Sequence, residues 1–196
     1  MNINLSKRIV FVLGLIPLVR LFVLGFLDQL TANPIEFITR STGTWTITFL
    51  CLTLAMSPLR WITGFSWWVQ FRKTLGLFTF FYGFLHFTIW YWLDHDFNFV
   101  AMISDVIKRP FITVGFIAFV IMSLLALTSN QKAMRLLGGK WKMLHRFIYL
   151  IAILAIIHYF WHKEGKRDFV VVYTYTGIIF FLLFIRIPLI KRLITK

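Results

Sequence analysis

Apolar residues come in long runs rather than in alternation with polar ones, and six runs approach the length needed to cross a hydrocarbon core about 30 Å thick. They cover residues 9–26, 44–60, 75–93, 111–127, 144–161 and 169–187. The second is the shortest: its apolar part stops at Met56, and Ser57-Pro58-Leu59-Arg60 ends it. The first is too long and unbroken for a signal peptide and lacks a small-residue cleavage site. The connections are short, no soluble domain is interposed, and the pattern contains no internal repeat or low-complexity segment. The reading is an all-α membrane protein, a single transmembrane domain over residues 1–196 built as a six-helix bundle.

Composition supports this class. Of 196 residues 59% are hydrophobic and 14% charged, and the mean hydropathy is +0.80, more apolar surface than a soluble domain of this size needs. The net charge of +14 invites a nucleic-acid partner, but its distribution points to orientation in a bilayer instead. Fourteen of the 21 basic residues fall at the N-terminus, after span two, around the fourth connection and at the C-terminus, with no acid among them. The opposite side holds six basic residues and all seven acids, Asp28, Glu36, Asp94, Asp96, Asp105, Glu164 and Asp168. The positive-inside rule therefore places both termini in the cytoplasm.

Orientation gives depth. Spans three and five both run outward, with His86 about twelve residues into one and His158 about fourteen into the other, a height difference of about 3 Å. Neutral imidazole suits haem iron, and the pair could clamp one iron near the outer half of the membrane. His145 lies thirteen residues before His158, roughly 20 Å deeper, at the cytoplasmic start of span five. At the matching level of span three stand Arg72 and Lys73, so the inner site has one imidazole facing cations. Guanidinium binds planar oxyanions well, and His145 with Arg72 reads as the place where electrons come in. It would hold a haem with a non-histidine second ligand, a flavin or a quinone. Plainer readings stand beside these. His86 could be a packing histidine, His145 interfacial, and Arg72 and Lys73 helix anchors. His162, one turn beyond His158, is an alternative outer ligand, and His95 reads as solvated in an outer loop.

Absences narrow the chemistry. The single Cys51 excludes an intrachain disulfide and the C-x-x-C-H attachment of a c-type haem. No G-x-G-x-x-G, P-loop or H-E-x-x-H is present, so if the chain moves electrons they come from another protein, a quinone or a bound flavin. No span contains an acid, which argues against a carboxylate proton relay.

The third span with its approach, FRKTLGLFTFFYGFLHF, and the fifth, GGKWKMLHRFIYLIAILAIIHYFW, resemble the haem-binding membrane subunits of periplasmic methionine sulfoxide reductase systems, the MsrQ or YedZ family. Gly43-Thr44-Trp45 and Ser57-Pro58-Leu59-Arg60 fit the same family, and the resemblance covers nearly the whole chain. More distantly the chain is similar to ferric reductase and NADPH oxidase membrane domains, which carry two histidines on each of two helices. Here Arg72 or Lys73 stands where the fourth would be.

The resemblance implies a ferric reductase-like bundle in the bacterial inner membrane that binds b-type haem and is associated with FMN. It would pass electrons from the quinone pool, or from a cytosolic flavin reductase, to a periplasmic molybdopterin enzyme that reduces methionine sulfoxide in oxidised proteins. Such a subunit is either non-catalytic or quinol-oxidising. The alternative, a haem or metal transporter using the histidines as transient ligands, calls for polar, Gly/Pro-interrupted spans, and most of these are uninterrupted. A structural anchor with adventitious histidines is a third reading.

Overall fold

The structure is a computed structural model and describes residues 3–163 and 169–194. Glu164, Lys166, Arg167, Asp168 and Lys196, which enter the charge count above, lie outside the described residues. The described chain is helical: α1 (Ile3–Phe26), α2 (Pro34–Thr63), α3 (Arg72–Ile89), α4 (Phe99–Lys108), α5 (Pro110–Leu127), α6 (Gln131–Leu137), α7 (Gly139–His145), α8 (Ile148–Lys163), α9 (Val170–Phe184) and α10 (Pro188–Ile194). A 3₁₀ segment, Ser66–Phe71, leads into α3, and a π-helical turn, Trp90–Asp94, prolongs it.

Four stretches are long and apolar enough to cross a membrane: α1, α2, α5 and the broken helix Gly139–Lys163. Helices α9 and α10, bent by 82° between them, make a fifth if counted together. The chain is a multi-pass helical membrane protein on this ground. The third expected span, α3, is 18 residues long but falls short in hydropathy, because Arg72, Lys73 and His86 offset its phenylalanines.

Helix α2 begins ten residues before the expected span. Its start is set by polar chemistry that a hydropathy reading passes over. Asn33 caps it by accepting from the Glu36 amide at 3.2 Å, and Pro34 occupies the first turn, where a missing N–H costs nothing. The threonines that lower its hydropathy return their hydroxyls to the helix's own carbonyls, Thr42 to Ile38, Thr46 to Thr42 and Thr53 to Phe49, and so carry no unsatisfied donor into the apolar interior. Gly64, at φ 76°, ends it in a left-handed cap. Helix α4 was an expected connection. It is a short amphipathic helix capped by Asn98 that buries Met102 and Val106.

Helix α2 packs mainly on α3, and α5 on α8. Leu50 and Leu54 of α2, Met122 of α5, Ile151 of α8 and Ile179 of α9 form the central core. A second, aromatic cluster of Phe49, Phe71, Phe78 and Tyr82 joins α3 to α1. Tyr82 is fully buried; its hydroxyl donates to the Gly14 carbonyl at 2.8 Å and accepts from the Leu18 amide at 3.2 Å. In an undisturbed helix those two groups bond to each other, so the phenol is inserted into the α1 ladder one residue from Pro17.

Candidate functional site

Two helical hairpins present one imidazole each. On the first, α3 carries His86 against α2, and Nδ1 lies 2.9 Å from the Thr39 carbonyl oxygen. On the second, α8 carries His158 against α5, with Nδ1 2.7 Å from the Phe111 carbonyl oxygen. A carbonyl only accepts, so Nδ1 carries the proton in both rings and Nε2 keeps its lone pair. That is the tautomer a metal-ligating histidine needs, with its orientation held by the second-shell bond.

Close approach of each ring depends on a glycine one turn after the accepting carbonyl. A Cβ at Gly43 would lie 3.1 Å from His86 Cε1, and one at Gly115 only 2.6 Å from His158 Nδ1. Carbonyl, glycine and histidine recur at one interval: 39, 43 and 86 in the first hairpin become 111, 115 and 158 in the second, 72 residues on. The sequence reading found no internal repeat. The two hairpins are nevertheless built to one plan at their functional positions, with few other identities to reveal it.

The rings face each other with centroids 6.2 Å apart and planes at 81°. Two metal–imidazole bonds of about 2 Å laid end to end, with each centroid about 1 Å behind its nitrogen, give a separation of roughly 6 Å. Both histidines line a cavity of about 770 Å³ between the hairpins, within the usual range for cofactor pockets. Its depths are apolar, with Ile47, Leu50, Phe119, Met122 and Ile151 in the wall. Thr39 Oγ1, on a residue of the same wall, is buried without a partner among the described residues. No group of three or more His, Cys, Asp or Glu side chains that could hold a bare metal ion occurs among them. Two opposed imidazoles in an apolar slot therefore fit an iron whose other four ligands come from a macrocycle.

The remaining histidines divide. His162 lines the outer part of the same cavity, its ring 5.9 Å from that of Phe111. His95 is not solvated as expected: its side chain is 10% exposed, packed edge-on to Trp90 with Nε2 3.4 Å from Asp105 Oδ2. Helix α4, unseen in the sequence, brings that carboxylate to it. His145 lies outside the cavity, at the end of α7. It stacks on Trp141 at 3.9 Å, with Nδ1 3.2 Å from the Trp141 carbonyl and Nε2 3.4 Å from Ser129 Oγ.

Arg72 lies close enough to His145 and to Arg186 for its charge to act on both. Arg186, counted above only as a terminal charge, turns inward. Its guanidinium donates to the carbonyls of Leu182 and Leu54 and lies 5.5 Å from the Tyr149 ring. Nothing in the hydropathy pattern distinguishes it from a topology anchor. The bend between α9 and α10 is what directs it into the bundle.

A family model described as the ferric reductase like transmembrane component matches residues 42–156, from α2 into α8 and so through most of both hairpins, which gives the class of the protein. Among the relatives that bear the name protein-methionine-sulfoxide reductase heme-binding subunit MsrQ, three illustrate the match. The one from Ralstonia nicotianae is 52% identical over 91% of this chain and 82% of its own length. That from Herminiimonas arsenicoxydans is 50% identical over 95% and 86%, and that from Bordetella parapertussis 56% over 83% and 79%. The chain belongs to the MsrQ family.

Proposed function

We propose that this chain is the haem-binding electron-transfer subunit of a methionine sulfoxide reductase system. It spans the bacterial inner membrane six times with both termini in the cytoplasm. Electrons enter on the inner side, from the quinone pool or a cytosolic flavin reductase, and leave to a periplasmic molybdopterin partner that reduces methionine sulfoxide in oxidised proteins. The observation that carries the reading is the pair of imidazoles, His86 and His158, each pinned through Nδ1 to a backbone carbonyl. The names of the relatives support it independently.

A b-type haem, when bound, supplies an iron that accepts and releases one electron without a proton being required. The protein's own part is to fix the geometry. The carbonyls of Thr39 and Phe111 hold both rings in one tautomer, and Gly43 and Gly115 let them approach. The apolar wall excludes water. With both neutral rings already held in this way, the protein would need little rearrangement around a bound haem.

The inner site is assigned to His145 and Arg72, with a second haem, FMN or a quinone as its occupant. The positive cluster they form with Arg186 suits propionate or phosphate oxygens, or a quinone carbonyl. No acid stands on that side of the chain to neutralise it.

One set of variants tests both levels. Purified wild-type protein should show a low-spin bis-imidazole spectrum that His86→Ala and His158→Ala each abolish or convert. Arg72→Ala and His145→Ala should keep the outer signal but slow its reduction by quinol or flavin reductase at least tenfold. An unchanged bis-imidazole spectrum in both outer variants would sink the ligand assignment. Wild-type reduction rates in both inner variants would remove the inner site from the path.

A further inference from the structure

The cavity between the hairpins changes character from floor to mouth. Its floor is core: Leu50, Gly83, Met122 and Ile151. Its mouth is formed where several elements end together, at the start of α2, the end of the π-helical turn, the start of α5 and the end of α8. There the wall carries Glu36 and Arg40, Asp94, Arg109 and Lys163. A b-type haem has the same polarity, with a hydrocarbon edge opposite an edge bearing two carboxylates.

We infer that Arg40, Arg109 and Lys163 are the anchor for two haem propionates, so that the carboxylate edge faces the outer surface and the hydrocarbon edge the membrane interior. The inference rests on the haem reading above, and concerns which way round the group sits and what holds it. Three features argue for it. The cations flank the slot from both sides, Arg40 on the hairpin of His86, Arg109 and Lys163 on that of His158, so each carboxylate has a neighbour. Lys163 is only 6% exposed and lines the cavity, so its charge is held at the wall of the slot rather than out in solvent. It is also five residues beyond His158 on the same helix, roughly 8 Å higher, a height that a propionate arm reaches from an iron held by that ring.

The acids at the mouth do not cancel this. Glu36 pairs with Arg40 at 2.9 Å, and Asp105 with Arg109 through Nε at 3.3 Å. Both pairs are at least partly solvated and one helical turn apart, the weakest class of ion pair, and a fork-shaped guanidinium can take a second carboxylate. Asp94 is exposed. Porphyrin carboxylates placed at the opposite edge would be buried against Met122 and Leu50, where no Arg or Lys among the described residues lines the cavity.

The test is the rate at which purified protein in detergent loses haem to apomyoglobin. Lys163→Met combined with Arg109→Leu should retain the low-spin spectrum, lose haem at least tenfold faster than wild type, and show a lower midpoint potential, because removing positive charge favours the ferric form. Lys163→Arg, alone, should hold haem as wild type does, which separates loss of charge from damage to the fold. In haem-depleted membranes, protohaem should bind the wild type at least tenfold more tightly than its dimethyl ester, and the double variant should not distinguish them. Equal binding of acid and ester by the wild type, or haem loss from the double variant at the wild-type rate, overturns the inference and leaves the haem reading intact. A wild-type protein without low-spin haem overturns both.

Discussion

Gly115 is where a single methyl group would be felt most directly. A Cβ there would sit 2.6 Å from His158 Nδ1, whereas at Gly43 the nearest ring atom would be 3.1 Å away. The first is an outright clash with the atom that donates to Phe111; the second asks the ring to move by a few tenths of an ångström. Gly115→Ala should therefore destabilise the site by about 1–3 kcal/mol, the usual cost of overpacking, and displace the ring of His158. We expect most of the low-spin haem signal to be lost in Gly115→Ala and retained in Gly43→Ala, read by absorption per mole of purified protein. Equal haem content in the two would mean that the glycine does not set the ring position. At this scale the histidines were legible from depth alone, but their acceptors were not. Backbone carbonyls exist at every position, and Thr39 and Phe111 carry no mark that singles them out. Only the shared spacing of 47 residues between acceptor and histidine could have pointed to them, and it has meaning only once the helices are paired.

Helices were legible where hydropathy decides them and not where capping does. Spans one and four match α1 and α5 at their C-terminal ends, Phe26 and Leu127, because continuous apolar runs leave little choice. The start of α2 and the whole of α4 were missed, since Asn33-Pro34 and Asn98 act through hydrogen bonds rather than apolarity. The tether between α1 and α3 was equally hidden, as a tyrosine in an apolar run gives no sign of its partner. Its strength can be measured. Tyr82→Phe removes the hydroxyl shared by Gly14 and Leu18, yet those two groups can then bond to each other. The loss should be about 1 kcal/mol or less, in line with polar contacts inside membranes, and haem content should be unaffected. Denaturant or thermal unfolding in detergent would check it; a loss of several kcal/mol would show that α1 cannot close its ladder without the phenol.

For the whole molecule, the charge asymmetry makes a prediction that needs no cofactor. Reporter fusions at Lys196 and near Lys140 should be cytoplasmic, and fusions near Glu36 and Asp96 periplasmic. The reverse pattern would exchange the sides on which electrons arrive and depart. The bundle class was readable from the six runs, although by length and composition alone only four or five stretches qualify as spans. The difference lies in the bend between α9 and α10 and in α3, whose cationic first turn and histidine belong to the proposed site. What costs that helix its hydropathy is what gives it a role.

The recurrence of one plan in two hairpins has a further consequence for biogenesis. In the proposed site each hairpin would contribute one of the two protein ligands, 72 residues apart, so the protein's grip on a bound haem would be complete only once the hairpins meet. A group that binds only the joined state stabilises it by its own affinity. Cofactor delivery would then act as a late clasp. Nascent chains that have not received it would rely on the shared apolar core alone to keep the hairpins together, and the cell's proteases would be the first to notice.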